Sequence, residues 1–573
     1  MSSEFRLKRG SHILGYLQKF SSTEKAVFGA FALAAFVTAI VMAAQVNLHF
    51  MVEVPAAGGT LREGLVGLPH TVNPILAVTD VDRDISSLVY AGLTRYQDGN
   101  IAPDMASGWT VSPDGLTYTF TLKPGLKFQD GTAVTADDIA FTVGKAQDPA
   151  LKSPHAGDWA GVTVTALSPS QIQFALKQPG SSFLSATTLG IIPKHIWSAV
   201  SDDQFIFSEY NTTAIGSGPY RIDSVSRDTG GIPTKYHLAT WNGYYGSSPR
   251  LSAIAFSFFP DQDHALAALT SGAIDSLPAV APEQAARLAS DSAEAYTIVS
   301  APLSRIFGVF WNQNQNAVLA DPVVRQALGM AVDRTALVKT VLDGYGTPIA
   351  GPFPPGIGAP LDQVSQPNIP AGQALLEKAG WKKGADGIYT KKVGKAASTT
   401  LAFTLYTADA PELKQSADAL KASWASLGAS VSVKVYDASD LYQNVIRPRK
   451  YDALLFGEQI GKNADLYAFW HSSERNAPGL NVAMYASNKA DKILESLRIA
   501  TSSQARSDGY AQIDQALSAD DPAIFLYAPD FIYAVPKSLH GVSLGSMSVP
   551  ADRFNSIDDW YTETDRIWSI FAN

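Results

Sequence analysis

The chain contains no cysteine. That excludes disulfides, thiol catalysis and cysteine-ligated metal in one step. It also lacks an excess of positive charge: 44 Lys and Arg stand against 53 Asp and Glu, for a formal net charge of −9. A nucleic-acid surface needs a basic patch, so no nucleic-acid partner is expected. Histidine is scarce, and the nine residues (12, 49, 70, 155, 195, 237, 264, 471 and 540) never pair at metal-ligand spacing. No phosphate-cradling or dinucleotide glycine motif is present. Gly541 to Gly545 matches G-x-S-x-G, but a nucleophile elbow requires a histidine later in the chain, and none follows His540. It reads as a surface turn. Asp80, Asp82 and Asp84 open like a calcium loop, yet Ile85 stands where glycine is needed and Ala91 where glutamate is needed. They read as a helix-capping cluster. No catalytic residue, metal ligand or cofactor is therefore assigned, and the chain is not expected to be an enzyme.

What the sequence does have is one long apolar run, Ala26 to Val46, broken only by Thr38 and Gln45. At 1.5 Å per residue a helix of that length covers about 30 Å, the thickness of the hydrocarbon layer. Arg6, Lys8, Arg9, Lys19 and Lys25 precede it, against only Glu4 and Glu24. The positive-inside bias then places residues 1–25 in the cytoplasm and everything after the helix outside. The alternative is a cleaved signal peptide, with Val41-Met42-Ala43 as the cleavage site. Its apolar core would typically be only 7–15 residues, so an uncleaved transmembrane anchor over residues 26–46 is the expectation.

Past a linker at 47–58 the pattern is globular α/β. Ala102 to Val143 is the most structured stretch. Pro113-Asp114-Gly115 turns the chain. Tyr118, Phe120 and Leu122 then alternate with threonines as a half-buried strand. Pro124-Gly125 and Asp130-Gly131 turn it again, and Thr135 with Asp138 caps a helix through Ile139 and Val143. Further on, Asp321-Pro322 is a helix start with aspartate as N-cap and proline at N1. Alternating strands at Leu401–Leu405 and Val431–Val435 flank a helix ending before Gly428, a β-α-β pattern that implies a parallel or mixed sheet.

The wording of the first stretch, W…SPDG.TYTF.L..G.KF.DGT..TADD, resembles the signature of the extracytoplasmic solute-binding proteins of ABC importers, in the oligopeptide, dipeptide and nickel branch known as family 5. Further matches follow in the family's order: GSGPYRI at Gly216, the segment Phe310 to Gly351, LLEKAGW at Leu375 and LYAFWHSS at Leu466. The resemblance implies a class II two-lobed periplasmic-binding-protein fold of the large peptide-binding type, with an extra β-rich subdomain. Lobe I would comprise 59–100 and 211–305, with the subdomain inserted at 101–210. Lobe II would cover 306–525, and 526–573 would return to lobe I. It also implies a monomeric, membrane-anchored receptor, single-pass in the plasma membrane, handing a small solute to permease and ATPase subunits. Oligopeptides come first as solute, with a nickel chelate, an oligosaccharide or a sensor role as alternatives, and a cell-surface hydrolase as the rival of a different class. Many such proteins are tethered through a lipid-modified cysteine; here the apolar helix takes that place.

Binding residues follow from the same resemblance: Thr79 and Asp80 in a first-lobe cleft loop, His155 where oligopeptide binders carry a tyrosine, Trp311 and Asn312 on a crossing strand, Phe456, Gly457 and Glu458 at the end of a second-lobe strand, Trp470 nearby, and Tyr527 at the return crossing. Peptide-binding members set an aspartate against the peptide's α-ammonium. Gly461 or Lys462 falls at that place, and a lysine would repel an ammonium. Glu458 or Asp465 is the candidate substitute.

Overall fold

A computed structural model describes residues 20–572 apart from 98, 181, 393–397 and 501. Arg6, Lys8, Arg9, Lys19 and Glu4, which carry most of the charge bias, lie outside the described residues. The chain divides into two units, one formed by the N-terminal segment to Ala57 with Tyr561–Asn573, the other by Gly58–Trp560.

In the smaller unit a helix runs over Ser22–Phe50. Ser21 and Glu24 cap it reciprocally: the Ser21 amide donates to the Glu24 carboxylate at 2.8 Å and the Glu24 amide to Ser21 Oγ at 3.3 Å. Apolar side chains cover every face of it, and among the described ones none is buried. Ser22–Asn47 is long and apolar enough to cross a membrane. The strand Met51–Ala56 follows and pairs antiparallel with Glu563–Trp568, Met51 opposite Trp568 and Ala56 opposite Glu563. Arg566 Nη2 sits 2.9 Å from Glu53 Oε1, and Trp568 Nε1 donates to Asn47 Oδ1 at 2.7 Å. Two expectations change here. The segment read as linker at 47–58 contains a paired strand, and the last residues of the tail belong with that strand rather than completing lobe I. The partners stand more than five hundred residues apart, beyond any local pattern.

The larger unit is built on three main sheets. In the first, Gly58–Val66 lies parallel to Leu251–Phe259, with Pro233–Thr240 and Tyr220–Arg227 added antiparallel. The second is antiparallel in the order Ala106–Val111, Thr117–Leu122, Gln171–Ala175, Thr163–Ser168. Helix Ala136–Gln147 packs on it through Ile139 and Val143, both buried. The third is mixed, eight-stranded and organised on the long strand Ala523–Pro536.

That long strand joins the two lobes. Its first half, Ala523 to Tyr527, pairs with Arg305–Trp311; its second half, Asp530 to Pro536, pairs with Tyr296–Pro302. One buried cluster takes in residues from Ile306 to Ala528, and a second takes in Leu61 to Ala301 together with Phe531 to Trp560. The core therefore changes over between Ala528 and Phe531 within the long strand, and between Ala301 and Ile306 as strand Tyr296–Pro302 gives way to Arg305–Trp311. Two adjacent crossings of this kind form a hinge.

The recognisable motifs are explained by backbone geometry. In SPDG, Asp114 Oδ1 accepts the Leu116 amide at 3.0 Å and Gly115 has φ +71°. In GSGPYRI, a Cβ on Gly216 would stand 2.0 Å from the Val89 carbonyl oxygen, and one on Gly218 2.5 Å from that of Leu88. The strand can approach the end of helix Asp80–Val89 only through glycines. Gln129 locks the contact, donating to Tyr220 O at 2.8 Å and accepting the Gly216 amide at 3.0 Å.

Candidate functional site

A cavity of about 580 Å³ opens where the lobes meet. First-lobe walls come from Pro74, Tyr90, Thr94 to Tyr96, Asp104 and His155; the turn Ser548 to Asn555 closes one end, and the second lobe contributes Gly461, Lys462 and Asn463. Gly461 makes that last loop possible by taking φ +72° directly after strand Ala453–Gln459.

The loop is tied across the cavity. Lys462 Nζ lies 2.8 Å from Asp552 Oδ1 and 4.0 Å from the centre of the Tyr96 ring, so one ammonium has both a countercharge and an aromatic face. Asp552 is itself oriented by the Ser548 and Val549 amides at 2.6 and 3.1 Å. Asn463 Oδ1 accepts from Ser185 Oγ at 2.6 Å, and Ser185 Oγ accepts from the Tyr96 hydroxyl at 2.8 Å. Deeper in the wall Asp104 accepts from the Tyr245 hydroxyl at 2.7 Å, and burial pushes its carboxyl above the usual aspartate range.

A second cavity, about 350 Å³, lies within the second lobe. Ile446, Phe456, Phe469, Leu480 and Val482 make it apolar, and Glu458 is its buried acid. Gln459 separates the two spaces: it lines this cavity while its amide donates to the Ser548 carbonyl, beside the first, at 2.6 Å.

Apart from Asp465, the residues expected from sequence fall into four groups. His155 lines the interlobe cavity. Phe456, Gly457 and Glu458 line the second cavity instead. Thr79 and Asp80 form a helix cap and first turn: Thr79 Oγ1 accepts the Asp82 amide at 3.1 Å, and Asp80 pairs with Arg83, the residue of that turn that reaches the cavity. Trp311, Asn312, Trp470 and Tyr527 are fully or almost fully buried. Trp311 packs against Phe403 and Trp424, Trp470 against Phe310 and Phe525, and Tyr527 shares a hydrogen bond with Ser416 at 3.0 Å. The Asn312 amide donates to the Arg449 carbonyl at 2.9 Å. These four make the second-lobe core. Large aromatics in strands give the same pattern whether they face a core or a cleft.

Asp465, the other candidate acceptor, has partners of its own. It accepts the Tyr467 amide at 3.0 Å and pairs with Arg498 at 3.4 Å, and it lines neither cavity. The cavity-lining positions that sequence reasoning missed are Tyr96, Asp104 and Asp552. No local signal marks them, because each acquires its surroundings from segments far away in the chain.

The motifs set aside at the outset have structural work. Asp82 accepts the amides of His70, Thr71 and Thr79, and Asp84 pairs with Arg553, which accounts for the acidic cluster. Gly541 of the G-x-S-x-G run sits in a loop, where a Cβ would meet the Asp559 carbonyl oxygen at 2.1 Å. Among the described residues no three acids or histidines gather to hold a metal.

Comparison with known proteins gives one consistent answer. Residues 100–478, more than half of the chain, match the middle region of the bacterial extracellular solute-binding proteins, family 5. The oligopeptide-binding protein AppA of Bacillus subtilis is 28% identical, over 85% of this chain and 89% of its own. Its structure in complex with a nonapeptide superposes with a TM-score of 0.68 at 27% identity, covering 89% of this chain and 99% of that one. The ABC transporter substrate-binding protein CtaP of Listeria monocytogenes gives 0.75 at 25% identity, covering 88% and 100%.

Proposed function

The chain belongs to the bacterial extracellular solute-binding proteins, family 5, and from that membership we propose that it captures a solute in the interlobe cavity and delivers it to an ABC importer. Oligopeptides are the first class of solute, in keeping with the peptide complex of its relative from Bacillus subtilis. The apolar helix Ser22–Phe50 anchors the chain in the membrane with the larger unit outside. The observation that carries this reading is the cavity itself, walled by residues of both lobes beside two crossing strands. A ligand touching both walls favours the closed arrangement by its differential affinity for it, and the closed form is what a permease would read.

Lys462 shapes the choice of solute. By the family pattern Gly461 or Lys462 falls where an acceptor for a peptide α-ammonium is expected; Lys462 pairs there with Asp552, and Asp465 pairs with Arg498. N-blocked peptides, or solutes without a free amine there, suit the cavity better than free-amino peptides.

Thermal unfolding of the full chain in detergent tests both points. The panel holds free and N-acetylated peptide pools, nickel with histidine, and oligosaccharides. A ligand at 100 times its Kd stabilises by about 2.7 kcal/mol. A shift with acetylated peptides at least equal to that with free ones supports the reading. A shift with a non-peptide class alone removes the peptide assignment, and no shift with any class counts against capture. Retention of the chain in membranes washed with alkaline carbonate tests the anchor.

A further inference from the structure

Glu458 is a deeply buried carboxyl that the interlobe site leaves unused. It is 3% exposed, and unlike Glu63, Asp82 and Asp84 it has no hydrogen-bond partner for either oxygen among the described residues. Strand Ala453–Gln459 holds it at the wall of the second cavity, opposite Ile306 of the neighbouring strand. An acid buried without a donor is costly to keep, because desolvation is not offset by any bond. A native fold holds few such groups, and each calls for an explanation, a bound polar or charged partner among them.

The charged groups facing this space do not supply one. Arg449 also lines the cavity, but its guanidinium is committed to three backbone carbonyls, those of Arg475, Ile446 and Gly479, at 2.9, 3.1 and 2.6 Å. Arg447 is exposed at the rim and reaches Gln443 at 3.5 Å. Arg305, on the neighbouring strand, is exposed and donates to Gln459 at 3.2 Å. Tyr442 is the remaining titratable wall residue. Apart from the Gln459 amide the rest of the lining is apolar, with Phe469 and Leu480 among it. A narrow apolar space with one unpartnered acid matches a molecule of complementary build: an alkyl stem ending in a cation. The stem replaces water against the walls, and the cation supplies the missing donors and countercharge together.

We propose that the second-lobe cavity binds the cationic end of an amphipathic ligand, an alkylammonium or alkylguanidinium group, with Glu458 as its counter-ion and Phe456, Phe469 and Leu480 holding the stem. Gln459 lines this site and its side-chain amide donates to Ser548, a wall residue of the interlobe cavity. This deepens the solute-capture reading by naming a side-chain class, and it rests on that reading only where the cation belongs to a captured peptide. The pairing has a proton consequence. Burial alone pushes the Glu458 carboxyl well above the usual glutamate range, which favours its protonated form while no cation is paired with it. Forming the ion pair then breaks the carboxyl O–H bond and releases that proton to solvent.

The test is titration calorimetry on the full chain in detergent with three probes: n-butylguanidinium, N-acetylated Ala-Lys-Ala amide, and the norleucine counterpart of that peptide. Measurements at pH 7 in buffers of different ionisation enthalpy give the protons released. We expect wild type to bind the lysine peptide at least tenfold tighter than the norleucine one, to bind n-butylguanidinium, and to release close to one proton with either cation. Glu458→Gln, which keeps size and removes the charge, should abolish both the preference and the proton release while leaving norleucine-peptide affinity unchanged. Equal affinities for the two peptides in wild type, or cation binding that survives Glu458→Gln with its proton count intact, overturn the proposal and leave solute capture standing. If neither peptide binds, the capture reading loses its peptide class, and n-butylguanidinium alone decides the cavity: Glu458-dependent binding supports the site and none refutes it.

Discussion

Lys462 and Asp552 meet at 2.8 Å across the interlobe cavity, with the Tyr96 ring as a second support for the ammonium. The second-lobe loop is thus held to the first lobe by a cation of the protein's own. Both partners are largely shielded from water, with side-chain exposures of 7% and 14%, so the pair escapes most of the screening that weakens surface bridges.

If this pair helps hold the lobes together, Lys462→Met should open the unliganded protein. We expect a larger radius of gyration by small-angle scattering, with partial return to the wild-type value when ligand is added. A double-mutant cycle with Asp552→Asn should give a coupling of about 0.5–3 kcal/mol in unfolding free energy. Unchanged scattering together with zero coupling would mean that the contact has no part in closure.

Arg553 concerns the integrity of the first lobe rather than its motion. Its guanidinium, with no exposed surface, pairs with Glu63 at 2.6 Å and with Asp84 at 2.7 Å, and the Tyr533 hydroxyl also donates to Glu63. Strand Gly58–Val66, helix Asp80–Val89 and the C-terminal turn Pro550–Asp559 are joined at this one point. Arg553→Met leaves two buried carboxyls without their cation, and breaking such a network costs about 3–5 kcal/mol. Denaturant unfolding should record that loss. Replacing Glu63 and Asp84 by their amides in the same variant should recover part of it.

Asp514 yields a prediction with a definite sign. It is buried in helix Ser503–Asp520, and burial first, then the Asp362 charge, pushes its carboxyl up to about 6. Between pH about 4 and 6 the folded chain keeps a proton that the unfolded chain has released, so this group's contribution to stability falls as pH rises through that window. Asp514→Asn removes the titration. The difference in unfolding free energy between variant and wild type should favour the variant by on the order of 1 kcal/mol at pH 7 and vanish near pH 4. A difference that does not change with pH would show that Asp514 is charged throughout. Asp84 moves in the same direction, also to about 6, so wild-type stability alone would not isolate the effect.

These residues also mark how far the sequence could be read. The turns, the cap at Thr135 and the alternating strands depend on neighbours within a few positions, and their order along the chain carries the family pattern and with it the two-lobed fold. The candidate site depends on distant meetings. Lys462 stands out in sequence by its charge, but its partners Tyr96 and Asp552 do not. Glu458 is an ordinary strand residue until its burial and lack of a partner are visible. Trp311 and Trp470 were expected to face a ligand because a strand pattern does not say which face meets the core.

The glycines of GSGPYRI link the legible part to the site. A Cβ at Gly216 would overlap the Val89 carbonyl, at 2.0 Å from its oxygen and 2.8 Å from its carbon, and both are backbone atoms that cannot swing aside. Relief requires helix Asp80–Val89 and the strand beginning at Tyr220 to separate. That would strip Gln129 of its bonds to both and shift Tyr90, the next residue and a wall of the interlobe cavity. Gly216→Ala should therefore act on both stability and binding. We expect a loss of more than about 4 kcal/mol, the range reserved for steric conflict with fixed structure, and weaker ligand binding in whatever fraction remains folded. Gly230→Ala is the control, since a Cβ there meets only the Asp228 side chain, at 3.3 Å. If Gly216→Ala unfolds no more readily than this control, the close approach of strand and helix is not the reason for the motif.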